Sequence, residues 1–242
     1  MNQQQGPQHK ICIIQARSTS TRFPNKALTP ITQFPVLQHV IDSAFFASVF
    51  THVFVAVPKG DPIGPWCTER KISWFEGDEN DVLRRYYMCV QQRVLPLLPP
   101  QDLFRPISIC RITGDCPLVP TELIVYLNLI AGASGIDYVS NVIYRSYPDG
   151  WDVEVLSWRL LKWLHENVKD PENREHVTSY IIKNLDKIHK AGFSFMNVAC
   201  PVDLSGVKVS VDTPEDLEKV RAEFTRNQNE TRKIQEIIKQ SK

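Results

Sequence analysis

Residues 15 to 28 read QARSTSTRFPNKAL, with three cations (Arg17, Arg22 and Lys26), four hydroxyl side chains and no glycine. Arginine can clasp a phosphate with two parallel N–H donors and lysine adds a point charge, so the set suits a polyanion. The Walker order GxxxxGK[ST] and the dinucleotide fingerprint GxGxxG are both absent from it. Taken alone, the stretch reads equally as a solvated basic loop. Two carboxylates extend it: Asp115 in RITGDCP and Asp212 in VSVDTPEDLEKV. Each has a plainer reading, Asp115 as a turn residue and Asp212 as a helix cap beside Thr213. Together, at one edge of a sheet, they supply hard oxygen ligands from separate strands, and phosphates would complete the shell that Mg²⁺ requires.

The elements that must position these groups alternate along the chain. ICIIQA, HVFVAVP, ISICRI, DYVSNV, VEVLS, FSFMNVA and VKVSVD read as strands. PVLQHVIDSAFFASV, DENDVLRRYYMCVQQRVL, TELIVYLNLIAG, WRLLKWLHENV, REHVTSYIIKNL and TPEDLEKVRAEF read as helices, and KGDPIGPWCTER, rich in Gly and Pro, as irregular. The first turn of the DENDVL helix is expected to be acidic, and the last helix should start with Thr213 as cap and Pro214 at its first position. Such alternation predicts an α/β fold with a mostly parallel sheet, in which ligands lie beyond the carboxyl ends of the strands. The basic loop follows the first strand and so falls there. Trp151, Trp158 and Trp163 are spaced like one buried helix face, and Tyr86 and Tyr87 like core and helix-face aromatics.

With 242 residues and 43% hydrophobic content, the chain can bury a full core. We expect a polar leader over 1–9, one domain over 10–224 and a polar tail over 225–242. The 28 basic and 27 acidic side chains give a net charge of +1, which offers no general field for nucleic acid or membrane. Six scattered cysteines without a CxxC pair read as reduced thiols of a cytoplasmic protein.

Seven stretches occur in one order: IIQARSTSTRFPNKAL, FEGDENDVLRRYY, RITGDCPL, DYVSN, YPDGWDVEV, REHVTSYI and VDTPEDLEKVR. Across roughly residues 11 to 222 the chain thereby resembles the cytidylyltransferases typified by the spore-coat polysaccharide synthesis protein SpsF, related to the CMP-sialic acid and CMP-Kdo synthetases. The resemblance implies a glycosyltransferase-A-like, Rossmann-like three-layer α/β/α nucleotidyltransferase fold. It implies Mg²⁺-dependent transfer of CMP from CTP to a sugar acid of nonulosonate or Kdo type, with release of pyrophosphate, in glycan or polysaccharide biosynthesis. By the same resemblance Arg17, Arg22 and Lys26 hold the triphosphate, and Asp115 and Asp212 hold Mg²⁺. Arg17, Lys26, Asp115 and Asp212 would form the catalytic set. Ser18, Thr19, Ser20, Thr21, Arg111, Thr113 and Gly114 would surround the nucleotide, with Asp81 and Arg84 beside it. Relatives often dimerise, so a homodimer is expected as a possible state.

The chain departs from the family pattern at Thr19, where glycine is usual, and at Asn25, where glycine often precedes the lysine. A need for positive φ at Thr19 would weaken triphosphate binding, whereas Asn tolerates that geometry. The segment PKGDPIGPWCTERKISWF is shorter than its counterparts, which bears on the wall of the nucleobase site. For the acceptor, Arg145, Arg174 and His176 are candidates for a sugar carboxylate and hydroxyls. Asp149, Asp152 and Glu154 lie near them in sequence, and Asp152 could orient the acceptor as a base or add a metal ligand. A sugar 1-phosphate or phosphorylated headgroup is the alternative acceptor, and a catalytically weak nucleotide-binding module in glycan assembly is the alternative to an enzyme.

Overall fold

The computed structural model describes residues 9–102 and 105–226. Of the leader expected at 1–9 and the tail expected at 225–242, all but His9, Thr225 and Arg226 fall outside these residues.

Seven strands form one mixed sheet. They are β1 (His9–Gln15), β2 (His52–Pro58), β3 (Trp74–Gly77), β4 (Ile107–Thr113), β5 (Tyr138–Ser140), β6 (Glu154–Ser157) and β7 (Phe195–Asn197), in spatial order β3-β2-β1-β4-β6-β5-β7. β1 pairs in parallel with β2 and β4, and β2 with β3; β6 runs antiparallel between β4 and β5. Along β1, Ile11 and Ile13 enter one core with Phe54 and Ile109, while Cys12 and Ile14 enter the other with Val55 and Ile112. Both faces are covered, which is why the strand is an unbroken apolar run.

One face carries α1 (Val36–Phe46), α2 (Ile63–Glu69) and α4 (Thr121–Ser134). The other carries α3 (Val82–Cys89) and α5 (Trp158–Asn167), followed by three short helices, α6 (Pro171–Glu175), α7 (Ser179–Lys183) and α8 (Leu185–Lys190). On α3 the side chains of Leu83 and Tyr86 are fully buried, each worth about 2 kcal/mol of apolar burial. Asp81 caps that helix by accepting the Arg84 N–H at 2.8 Å. Ser157 likewise caps α5, accepting from Leu160 N–H at 3.2 Å.

Several elements differ from the sequence reading. The stretch expected to be irregular contains α2: Gly64 lets the helix lie against Trp74, whose ring would be 2.7 Å from an added Cβ. The acidic residues of DEND precede α3 rather than occupying its first turn. The helix expected over REHVTSYIIKNL is broken at Val177, a buried β-branched residue at φ 53. VKVSVD adds no strand to the sheet and makes one isolated bridge, Asp149 to Lys208, so Asp212 follows an irregular segment. Trp151 lies before β6, off any helix, while Trp158 and Trp163 do belong to α5.

The final helix starts at residue 214 as expected. Thr213 Oγ1 accepts the Asp216 N–H at 3.3 Å and Asp216 returns a bond to Thr213 N–H at 3.1 Å, a reciprocal capping pair. Its inner residues Leu217 and Val220 join Val211, Ile31 and Val36 in a small third core, which ties this helix to the segment after β1.

Close approach of backbone also bears on Gly114 and Gly150. At Gly114 a Cβ would meet Ala16 Cβ and Gln15 O at 3.0 Å, where the ends of β4 and β1 run together. Gly150 has φ +109 and its Cβ would lie 2.5 Å from Ser210 N, because the 148–151 turn is sewn to residues 207–210 by backbone bonds. Gly150→Ala is therefore expected to lower stability by about 2 kcal/mol or more in urea unfolding. Gly206→Ala, with open space around it, should change stability by less than about 0.5 kcal/mol.

Candidate active site

Register sets the site. Gln15 stands opposite Ala56 and Thr113, so β1, β2 and β4 deliver their following loops to one edge. After β1 the chain turns back on itself: Asn25 N–H donates to Ser18 O at 2.9 Å, and Asn25 adopts φ 58, ψ 16 before a short 3₁₀ turn over Lys26–Leu28. Thr19 is not among the described non-glycine residues with positive φ; Asn25 is. The substitution that sequence made suspect is thus accommodated without strain, and the left-handed position falls to a residue that tolerates it.

This turn aims Lys26 between two carboxylates. Its Nζ lies 2.7 Å from Asp115 Oδ2 and 3.0 Å from Asp212 Oδ1. The two aspartates are also joined through the backbone, Val211 N–H donating to Asp115 O at 2.8 Å. Arg22 reaches Asp212 Oδ1 at 3.0 Å, and Lys208 bridges Asp212 Oδ2 at 3.1 Å and Asp216 at 2.6 Å. Burial pulls the Lys26 ammonium downward, but Asp115 and Asp212 outweigh it and hold the group above its ordinary range. Burial pushes Asp212 upward, and Lys26 with Lys208 overcome this and hold its carboxyl below the usual range.

A cavity of about 490 Å³ opens beside this cluster. It gathers most of the residues nominated from sequence: Arg17, Ser20, Thr21, Arg22 and Lys26 from the first loop; Arg111, Thr113, Gly114 and Asp115 from β4 and its turn; and Asp149, Asp152, His176 and Asp212 from later segments. Others lie outside its lining. Ser18 is committed to Asp61, whose Oδ2 accepts both its N–H at 2.8 Å and its Oγ at 3.0 Å. Thr19 Oγ1 donates to Glu79 at 3.0 Å. Asp81 pairs with Arg174 at 2.8 Å, and Arg174 also donates to the Val168 and His165 carbonyls, so both serve the α3–α6 junction. Arg84 points away from the core, and Arg145 holds Asp152 with two bonds of 3.0 and 2.7 Å. Glu154 is buried, with one oxygen taken by Arg111 and the other by Tyr138.

Three features escaped the sequence reading. Arg85, 2% exposed, lines the cavity and donates to the carbonyls of Asp78 and Glu79, fixing the loop before α3. Helical spacing carried that signal, since Arg85 stands three residues after Val82 and four before Cys89, both buried. Gly77 is its seat, for an added Cβ there would meet Arg85 Cγ at 2.8 Å. Glu154 faces Arg111 directly across the antiparallel β4–β6 pair, a register no single sequence reveals. Finally, Thr178 N–H donates to His176 O at 2.5 Å around Val177, a strained turn that presents Glu175 and His176 to the cavity. Glu175 reaches across it to Arg17 at 3.4 Å.

Asp152 has its carboxyl raised by burial, which the paired Arg145 does not offset. Cys116, also lining the cavity, has its thiol pushed well up by burial and is unsuited to act as a nucleophile. Converging cations and carboxylates of this kind can grip phosphates and position an incoming oxygen, the chemistry that nucleotidyl transfer requires.

The chain belongs to the cytidylyltransferase family, whose sequence model matches residues 11–239. It is 28% identical over 218 residues to the spore coat polysaccharide biosynthesis protein SpsF of Bacillus subtilis, covering 87% of this chain and 84% of that protein. A cytidylyltransferase from Leptospira borgpetersenii superposes with a TM-score of 0.75 at 25% identity, over 88% of this chain and 85% of the other. A CMP-2-keto-3-deoxy-manno-octonic acid synthetase complexed with CTP shares the fold, with a TM-score of 0.64 at 17% identity over 90% and 99% of the two chains. Among the described residues, no helix is long and apolar enough to cross a membrane.

Because the folded-state value of Asp212 lies below its unfolded one, its contribution to stability is complete above about pH 4 and is lost as pH falls through the folded value. Asp212→Asn should therefore flatten the acid limb of urea midpoints measured between about pH 2 and 5. A limb of unchanged slope would show that the lysines do not hold this carboxylate charged.

Proposed function

We propose that this cytidylyltransferase transfers CMP from CTP to a hydroxyl of a sugar acid of nonulosonate or Kdo type and releases pyrophosphate. The observation that carries the reading is the Lys26, Asp115 and Asp212 cluster, set beside the Arg17–Arg22 loop at the carboxyl ends of β1 and β4. The relatives named above support the nucleotide and the acceptor class.

Asp115 and Asp212 fit a divalent cation: two hard carboxylates from distant parts of the chain converge on one ammonium, and phosphate oxygens and water would supply the further oxygen ligands such an ion prefers. A divalent cation held by Asp115 and Asp212 would supply charge neutralisation and Lewis acidity at the reacting phosphate. Arg17, Arg22 and Lys26 hold the triphosphate and stabilise charge on the departing pyrophosphate. The acceptor oxygen forms the new bond to the α-phosphorus as the bond to the bridging oxygen breaks. Asp152, raised by burial and oriented by Arg145, takes the hydroxyl proton. Arg111 is the cation in this reading for the acceptor carboxylate: Gln15 and Glu154 fix it, with Asp149 and His176 nearby for hydroxyls.

Pyrophosphate release should be seen with CTP, Mg²⁺ and one member of a sugar-acid panel, and not with UTP, ATP or GTP. A diphosphate-linked product from a sugar 1-phosphate would move the assignment to that acceptor class. Asp115→Asn and Asp212→Asn should each reduce turnover at least about a hundredfold. Lys26→Ala should weaken CTP binding by about 1–3 kcal/mol in calorimetry. CTP binding without turnover on any acceptor would instead favour a nucleotide-binding module.

A further inference from the structure

We infer that Lys26 is a built-in occupant of the divalent-cation seat, so that metal enters only with the nucleotide or after it. The inference rests on the reading of Asp115 and Asp212 as metal ligands. The Lys26 ammonium contacts Asp115 Oδ2 at 2.7 Å and Asp212 Oδ1 at 3.0 Å, filling the space between the two oxygens that would have to approach a common cation. Asp212 is further engaged by Arg22 on Oδ1 and by Lys208 on Oδ2. Three cations, Lys26, Arg22 and Lys208, thus already balance the three carboxylates of Asp115, Asp212 and Asp216.

A free divalent ion gains little from such a neutral cluster. To enter, it must expel an ammonium whose side chain is only 12% exposed and leave that charge beside its own. A triphosphate changes both conditions. Its oxygens give Lys26 and Arg22 new acceptors, drawing them off the aspartates, and they provide the remaining ligands that the metal needs. One exchange then moves the lysine from carboxylate to phosphate and opens the seat. Lys208 cannot play this part, because it touches Asp212 and Asp216 but not Asp115.

The test is Mn²⁺ titration of the full chain without nucleotide, with free Mn²⁺ read by electron paramagnetic resonance. Lys26→Gln keeps a polar donor and Lys26→Met does not; thermal melts establish that each is folded before titration. Both should bind Mn²⁺ at least about tenfold more tightly than the unmodified protein. Lys208→Gln, which removes the same charge from the cluster's rim, should gain less. Adding Asp115→Asn to Lys26→Gln should abolish the gain. Equal Mn²⁺ affinity in the unmodified protein and both Lys26 variants would overturn the inference, as would an equal gain in Lys208→Gln.

The metal assignment is read separately, from water-proton relaxation enhancement of Mn²⁺ with CTP and protein. Enhancement lost in Asp115→Asn and in Asp212→Asn supports it. Enhancement retained in both would remove the assignment and, with it, the basis for the lysine's role.

Discussion

An ammonium between two carboxylates organises the edge of the sheet that carries the candidate site. Lys26, Asp115 and Asp212 come from three separate regions of the chain, and nothing in a parallel sheet by itself would bring the third to the other two. Burying such charges is unfavourable unless each finds a partner, so the cluster is stable only as a set. The surrounding devices serve that requirement: Asn25 in the left-handed region, Gly114 without a side chain, and the backbone bond from Val211 to Asp115. The third core, around Val211 and Leu217, then holds the last participant against the first loop by apolar contact.

Buried Arg85 and half-buried Arg111, both at the cavity, show two ways of handling a guanidinium largely out of water. Arg111 is neutralised by Glu154 across a strand pair, and its orientation is locked by Gln15. Arg85 forms its hydrogen bonds with main-chain carbonyls, and burial together with nearby Arg17 lowers its proton affinity. Its positive charge is thus directed into the loop before α3, and it shapes a wall of the cavity by holding backbone in place.

Much of this was legible because local pattern and chemistry coincided. The strands β1, β2 and β4 are apolar runs bounded by polar turns, and the loop residues Arg17, Arg22 and Lys26 followed a strand end where ligands gather. Asp115 follows β4 as its motif predicts, whereas Asp212, expected at the end of a strand, follows an irregular segment and reaches the same place by another route. What stayed hidden depended on register and on backbone outliers. Nearness in sequence places Glu154 with the acceptor residues, yet its partner Arg111 comes from 43 positions earlier through antiparallel pairing. Nearness in sequence groups Arg174 with His176, but they stand two positions apart at the end of α6, where a helical step of about 100° per residue sends one to Asp81 and the other to the cavity. The sequence VKVSVD alternates as a strand should, but its hydrogen bonds go to the 148–151 turn and to Asp115 instead of a sheet neighbour.

The order in which these parts occur along the chain carries a consequence for biosynthesis. The last strand among the described residues, β7, ends at Asn197, whereas Asp212 and its helix come later. A nascent polypeptide that has emerged from the ribosome through β7 holds all seven strands of the sheet and all but Val198 of the two principal cores, while Lys26 still lacks one of its two carboxylates. During translation the sheet can therefore be complete before its chemistry is, and the final stretch of synthesis converts a scaffold into a site.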